Sequence, residues 1–508
     1  MVNKLENIIL HNMYLFIPEI LNCNILECIY ILFILCFTYL LIETNIYRLK
    51  IIGTFSAILL YFLSVLMWIQ FLPVTNTFFQ YELYIPISYQ LGLTYHLAVD
   101  GISLYFIILT FFLLVICLLA SWTSITYKVK EFYILMFLLT FLLFHVFCLL
   151  DLLFFYIAFE SVLIPMYLII GIWGSRDRKI HASYQFFLYT LAGSLVMLLA
   201  IIYIYLIVGS FHYYEIKSYC YGDQESKLLW LAFFLAFAVK IPVIPVHIWL
   251  PEAHVEAPTA GSVMLAGILL KMGGYGLIRF SLVMFPTATI FFQPFVYTIC
   301  IFSIIYGVFT TIRQTDLKKI IAYSSIVHMS YVLIGIISRT AQGLEGGIFM
   351  MISHGLISSA LFLCVGFLYE RHHTRVLLYY GGFVLGMPIF SIIFFILTLA
   401  NISLPGTTSF IGEFGILLGI FDESKFLLFV GCIGIILSAV YAIWFYNRLV
   451  FGNYKKKYFN ALIDFNLRET FVIGICLSLC IFFGIYPNLI LDNLHLPVNQ
   501  IVFTKLVF

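Results

Sequence analysis

The chain has 508 residues, of which 63% are hydrophobic and only 10% charged, with a mean hydropathy of +1.09. Soluble domains carry about 25% charged residues, so a water-soluble fold is excluded and the sequence reads as an all-α polytopic membrane protein. The net charge is +2, and no basic tract is long enough to argue for a nucleic-acid partner, so none is expected.

The 11 cysteines are scattered and form no Cys-x-x-Cys pair; Cys476 and Cys480 lie inside one apolar run. That pattern argues against iron–sulfur clusters, zinc and a disulfide framework. The Gly273-Gly274-Tyr275-Gly276 run sits within an apolar segment, where small residues serve helix packing. Any redox cofactor or nucleotide is therefore expected elsewhere. The N-terminus has no arginine-rich presequence and no signal cleavage pattern. Abundant Phe (53) and Tyr (35) suggest the A+T-biased genome of an organelle, with the mitochondrion as the first choice.

A membrane-crossing helix needs about 20 apolar residues. Fourteen such segments are predicted at 20–42, 51–72, 101–122, 131–149, 151–171, 185–209, 228–249, 258–281, 290–311, 317–338, 347–369, 383–404 continuing brokenly to 421, 426–447 and 470–490. The fourth and fifth meet at Leu150-Asp151, which requires a tight hairpin. Residues 73–100, with Pro73, Pro86 and Asp100, are expected at the membrane interface. Loops after odd-numbered spans hold most of the 26 Lys and Arg residues, among them Arg48, Arg176, Arg313, Lys318, Lys319, Arg375, Arg448 and Lys455 to Lys457. The opposite side holds few, including Lys4, Arg279, Arg339 and Lys505. The positive-inside rule then places both termini on the outer side.

Two spans carry breaks. Pro242 and Pro245 interrupt the seventh and NISLPG (Asn401 to Gly406) interrupts the twelfth, since proline removes a backbone donor. The breaks lie five spans apart. Spans 4–8 and 9–13 thus read as two five-span units, the second inverted, and paired interrupted helices point to an ion or substrate site. The expected division is 1–130 for the first three helices, 131–281 and 282–455 for the two repeats, and 456–508 for the last helix and tail.

Charges within such spans are costly and mark functional sites by default. Glu160 lies mid-span in FFYIAFESVLIPMYLII, and a buried carboxylate needs a cation, for which Lys240 is the natural partner. Lys240 and Lys271 each sit near the middle of an apolar run, too central to snorkel to an interface. His328 and His354 lie on apolar helices, where a histidine is as often a hydrogen-bonded packing residue as a relay. Ser324, Ser325, Ser330 and Ser353 flank them and are expected to hold water. Glu413 follows the second break. His145 reads as core, Asp151 as interfacial, and Asp316 with Lys318 and Lys319 as a solvated loop or helix cap. Together Glu160, Lys240, Lys271, His328, His354 and Glu413 form the candidate site: a polar line suited to moving protons, with no chemical engine beside it.

At these residues the chain resembles the subunit 4 family of respiratory complex I, which are antiporter-like membrane subunits. The similarity runs from about residue 95 to 450 and is carried by KIPVIPVHIWLPEAHVEAPTAGSVMLAGILLKMGGYGLIR, TDLKKIIAYSSIVHMS, ISHGLISSALFLCVGFLYER and LPGTTSFIGEF. The resemblance implies fourteen helices, two inverted five-helix repeats and broken helices 7 and 12. It implies a Glu160–Lys240 pair, Lys271 as the central lysine, His328 and His354 on helices 10 and 11, and Glu413 as the helix-12 acid, where paralogues and related antiporters usually carry lysine. Proton pumping would be driven by NADH oxidation and ubiquinone reduction in other subunits, which would hold the FMN and iron–sulfur clusters. Displacing the Glu160–Lys240 pair would alter the proton affinity of Lys271, and protons would pass His328 and His354 toward Glu413 and the outer side. The implied partners are the other membrane-arm subunits, including neighbouring antiporter-like ones, and lipids such as cardiolipin; the implied location is the mitochondrial inner membrane. A stand-alone cation/proton antiporter and a scaffold that has lost transport are the competing readings. The ends, before 90 and after 455, match poorly.

Overall fold

The computed structural model describes residues 24–73, 79–88, 92–338, 340–455 and 462–503. The expected placement of both termini, and of Lys4, Arg339, Lys456, Lys457 and Lys505, lies outside the described residues.

Among these residues twelve helices are long and apolar enough to cross a membrane: Ile25–Ile42, Ile46–Gln70, Gly101–Ser124, Val129–Cys148, Leu152–Trp173, Lys179–Val208, Thr259–Met284, Pro286–Arg313, Leu317–Ile337, Ala341–His372, Lys425–Val450 and Leu467–Ile485. Shorter helices accompany them: Asp223–Lys240 with Trp249–Glu256, and Pro388–Asn401 with Thr408–Phe421. A final helix, Asn488–Phe503, follows. Several helices run past the apolar windows read from sequence. Ala341–His372 starts where the Thr340 hydroxyl accepts from Gly343 N (3.2 Å), because a capped polar turn prolongs a helix beyond its apolar stretch.

The described residues between 79 and 99 form strands where only an interfacial segment was expected. β1 (Gln80–Ser88) and β2 (Leu93–Val99) pair antiparallel. Their Tyr, Ile, Leu, Thr and Val residues favour strands, and a two-stranded ribbon tolerates Pro86 because every strand is an edge. β2 delivers Asp100 to cap Gly101–Ser124, its carboxylate accepting from Ser103 N (2.8 Å) while Ser103 Oγ accepts from Asp100 N (2.9 Å).

Three helices form the buried centre: Thr259–Met284, Leu317–Ile337 and Ala341–His372 are covered almost throughout. The outer helices bury one face and expose apolar side chains on the other. Close backbone approach holds the centre. A Cβ on Gly346 would lie 2.6 Å from Ile416 N and 2.7 Å from Gly415 C, so Ala341–His372 and Thr408–Phe421 meet through small residues, as membrane helices do.

Both breaks fall where the prolines and the NISLPG run place them. Asp223–Lys240 stops at Lys240, and the chain turns through residues 241–248. Val243 N turns back to Ala238 O (3.2 Å), so the Val239 carbonyl loses its helical partner and accepts the Trp249 indole N–H instead (2.9 Å). Ile244 N donates to Ser303 Oγ (3.2 Å). At the second break the Ser409 hydroxyl donates to Ala400 O.

Three basic residues depart from the loop assignment. Arg279 lies inside Thr259–Met284, 2% exposed, with its guanidinium 2.6 Å from the fully buried Asp100. Lys318 is 1% exposed and donates to Ala257 O (2.9 Å) and Ser262 Oγ (3.1 Å). Arg375 is equally buried and donates to Val255 O and to Ser175 Oγ (2.6 Å). Counting by sequence placed them in loops because they sit at helix ends; packing by neighbouring turns then covers them.

Candidate proton-relay site

Lys271 occupies the helix with the least regular backbone. π-helical turns, Leu265–Leu269 and Leu277–Ser281, flank the short α segment Leu270–Gly276. Such turns shift the helical hydrogen-bond register and recur at functional sites. Here the Lys271 ammonium reaches the Ala266 carbonyl in the first of them (2.5 Å). Gly273 lets the helix close on the first break, since a Cβ there would lie 2.9 Å from Phe237 O.

From Lys271 the buried groups line up. Its Nζ is 2.8 Å from His354 Nδ1. The His354 and His328 rings lie 5.7 Å apart between centroids, tilted by 50°. His328 Nδ1 is 3.1 Å from Glu413 Oε1, and its Nε2 is 3.1 Å from Asn401 Oδ1. All four ionisable side chains are almost fully buried. Four helices, Thr259–Met284, Ala341–His372, Leu317–Ile337 and Thr408–Phe421, thus contribute one member each.

Lys271 and His354 can share one proton. An ammonium has only donors, so when Lys271 is charged His354 Nδ1 must offer its lone pair. Two cations at this distance would repel strongly. The His354–His328 step is not a direct hydrogen bond, and transfer there needs an imidazole to turn or a water between the rings.

Glu160 and Lys240 lie apart from this line and do not form the closed ion pair expected. Lys240 is 1% exposed, which excludes snorkelling, and its Nζ has no hydrogen-bond partner. It sits over the Phe159 ring, 4.7 Å from the centroid. Glu160 is partly exposed with an unpartnered Oε1. The two charges feel each other without an ion pair within 4.0 Å. The flanking serines turn their hydroxyl protons inward along their own helices. Ser324, Ser325, Ser330 and Ser353 donate to carbonyls of their own helices (2.7–3.2 Å), leaving only hydroxyl lone pairs to offer.

Sequence reading missed His254 and Asn401. His254 is fully buried in Trp249–Glu256, stacks on Phe362 (4.7 Å, 7°), and has no partner on either ring nitrogen. It lies within the fields of Lys271 and Lys318. Its signal was the polar run PEAHVEAP, which read as a hairpin rather than a buried helix. Asn401 was noticed only as part of the break. His145 is packing, as expected: it joins Tyr30 Oη (2.7 Å) and Phe141 O (2.7 Å). Asp151 caps Leu152–Trp173 from 0% exposure, accepting from Leu153 N (3.0 Å) and Phe154 N (3.2 Å). Asp316 faces Arg176 at 3.7 Å.

Residues 150–438 match the transmembrane family model of NADH:quinone oxidoreductase and Mrp antiporters. The NADH-ubiquinone oxidoreductase chain 4 of Arabidopsis thaliana is 50% identical over 489 residues, 96% of this chain and 97% of that one. The chain belongs to the NADH-ubiquinone oxidoreductase chain 4 family. A chain of respiratory complex I from Thermus thermophilus superposes with a TM-score of 0.85 at 27% identity, covering 94% of this chain and 99% of that one. The Mrp complex from Dietzia sp. shares the fold with a TM-score of 0.82 at 16% identity, covering 93% of this chain and 96% of its counterpart. The chain 4 family fold is thus the antiporter-like one of complex I, mostly helical and membrane-embedded, with a β-ribbon.

Proposed function

We propose that this chain is a proton-translocating core membrane subunit of respiratory complex I, working in the mitochondrial inner membrane beside other membrane-arm subunits. Electron transfer from NADH to ubiquinone belongs to other subunits, which hold the FMN and iron–sulfur clusters; this chain supplies the proton path. The observation that carries the reading is the buried run Lys271–His354–His328–Glu413. Charges of this kind, sequestered from lipid, are the marks of proton relays.

In this mechanism Lys271 stores a proton against His354. A change in the field from Lys240 and Glu160 alters how tightly that proton is held, and it leaves through His354 and His328 to Glu413. Spans 4–8 and 9–13, at 131–281 and 282–455, act as two inverted units, each with one interrupted helix, with the first three helices in 1–130 and the last helix and tail in 456–508. Both termini face the intermembrane space. A stand-alone cation/proton antiporter of the same fold is the weaker reading, because Glu413 replaces the lysine that the resemblance associates with antiporters and the relatives are named as NADH-ubiquinone oxidoreductase chains. Lys271→Ala tests the proposal. The assembled complex should keep oxidising NADH at a measurable rate and lose the proton gradient reported by a pH-sensitive dye; full pumping in that variant refutes the relay, and failure of this chain to copurify with NADH oxidation refutes the assignment to complex I.

A further inference from the structure

The ends of two neighbouring helices enclose a cleft of about 710 Å³ that the proton path does not use. Arg313 closes Pro286–Arg313, Arg448 lies in the last turn of Lys425–Val450, and Lys455 follows from the next loop. Asn447, Trp444 and Tyr380 complete its wall. The floor is fixed: Gly382 N donates to Phe451 O (3.1 Å), and the Lys455 ammonium donates to Leu378 O. Both arginines are exposed, and neither has a carboxylate within 4.0 Å among the described residues. Among the described residues, three cations line this cleft without an anionic partner.

The surfaces leading to the cleft say what the anion is attached to. Phe302, Tyr306 and Phe309 are exposed and lie on the same face of their helix as Arg313, at intervals of three or four residues. Ile436, Val440 and Ile443 are exposed and run in the same way to Asn447 on the adjoining helix. These helices pack against each other. Each therefore carries an apolar stripe ending at the basic cleft, with Trp444 at its rim, where interfacial tryptophans sit at headgroup depth. A soluble anion needs no such stripes; a lipid needs both parts. Guanidinium groups bind phosphate oxygens in bidentate fashion, and basic pockets between membrane helices on the positive side take acidic headgroups.

We propose that this cleft binds the phosphodiester headgroup of an acidic glycerophospholipid through Arg313, Arg448 and Lys455, with the acyl chains lying along the two stripes. The proposal is independent of whether protons move through Lys271. It is tested on the intact complex in phosphatidylcholine nanodiscs containing one of two photoreactive lipids, phosphatidylglycerol or phosphatidylcholine, each with the reactive group on an acyl chain. The phosphatidylglycerol probe should label the segments 302–313 and 436–448 several-fold more than its zwitterionic counterpart. That excess should fall about fivefold in Arg448→Gln, the effect of one basic residue at a membrane surface, and survive excess inorganic phosphate. Equal labelling by both probes in the unmutated complex overturns the proposal without any variant. Loss of labelling on adding inorganic phosphate overturns it too, by making the cleft a soluble-anion site.

Discussion

Asp100 does two jobs, and removing it should expose both. Its carboxylate caps Gly101–Ser124 through Ser103 N and lies 2.6 Å from the Arg279 guanidinium, with both side chains buried. Breaking a buried pair by deleting one partner costs about 3–5 kcal/mol, because a charge is left uncompensated. Losing the cap adds about 1 kcal/mol. Asp100→Ala should therefore destabilise the subunit by about 4–6 kcal/mol, a large share of a typical domain's 5–15 kcal/mol. Asp100→Asn keeps a cap acceptor and should lose only the ionic part. Replacing both residues, Asp100→Ala with Arg279→Met, removes the stranded charge and should recover about 2–4 kcal/mol of the loss. The assay is the heat stability of the assembled complex in membranes, followed by native gel and residual NADH:ubiquinone activity, across the four proteins. If the double variant is as unstable as Asp100→Ala, the two residues are not coupled and the assignment of a buried ion pair is refuted.

Two further outcomes follow. Gly346→Ala places a methyl against the backbone of Gly415 and Ile416; because backbone cannot swing aside, about 1–3 kcal/mol is expected to be lost, seen as less assembled complex, whereas Gly474→Ala, where a Cβ meets nothing within 4 Å, should assemble normally. Asp151 lies just before its helix, and burial pushes its carboxyl up to about 6. A folded-state value above the unfolded one means that protonation favours folding: the contribution is full below about pH 4 and is lost as pH rises through about 6. Asp151→Asn keeps the cap and should raise heat stability at pH 7.5 by up to about 3 kcal/mol, with the gain shrinking toward pH 4; a gain that is the same at both pH values would refute burial as the cause.

Composition alone made the fold class legible, because no soluble packing hides so apolar a chain. Four of the six candidate residues, Lys271, His354, His328 and Glu413, come together as a line, since each stands out as a charge or imidazole within an apolar run. Other features stayed hidden for a common reason. Arg279, Lys318 and Arg375 sit near helix ends, where sequence reads water but neighbouring turns supply the cover. His254 hides in a polar segment that folds as a buried helix. The hairpin of β1 and β2 was unread because its length is too short for a span and its prolines suggested loop. The separation of Glu160 from Lys240 depends on rotamers, which sequence does not specify.

The interruptions at Lys240 and Asn401 are finished joints. The Val239 carbonyl, which the break would leave dangling in hydrocarbon, is taken by the Trp249 indole ten residues on, and the Ala400 carbonyl, which Ser403 N already meets (3.1 Å), gains the Ser409 hydroxyl as a second donor. Unravelling either joint further would strand a peptide oxygen at a cost of several kcal/mol, whereas swinging a lysine between staggered positions costs far less. Any rearrangement in this part of the molecule is therefore confined to the reach of a few side chains, while the backbone around them keeps its shape.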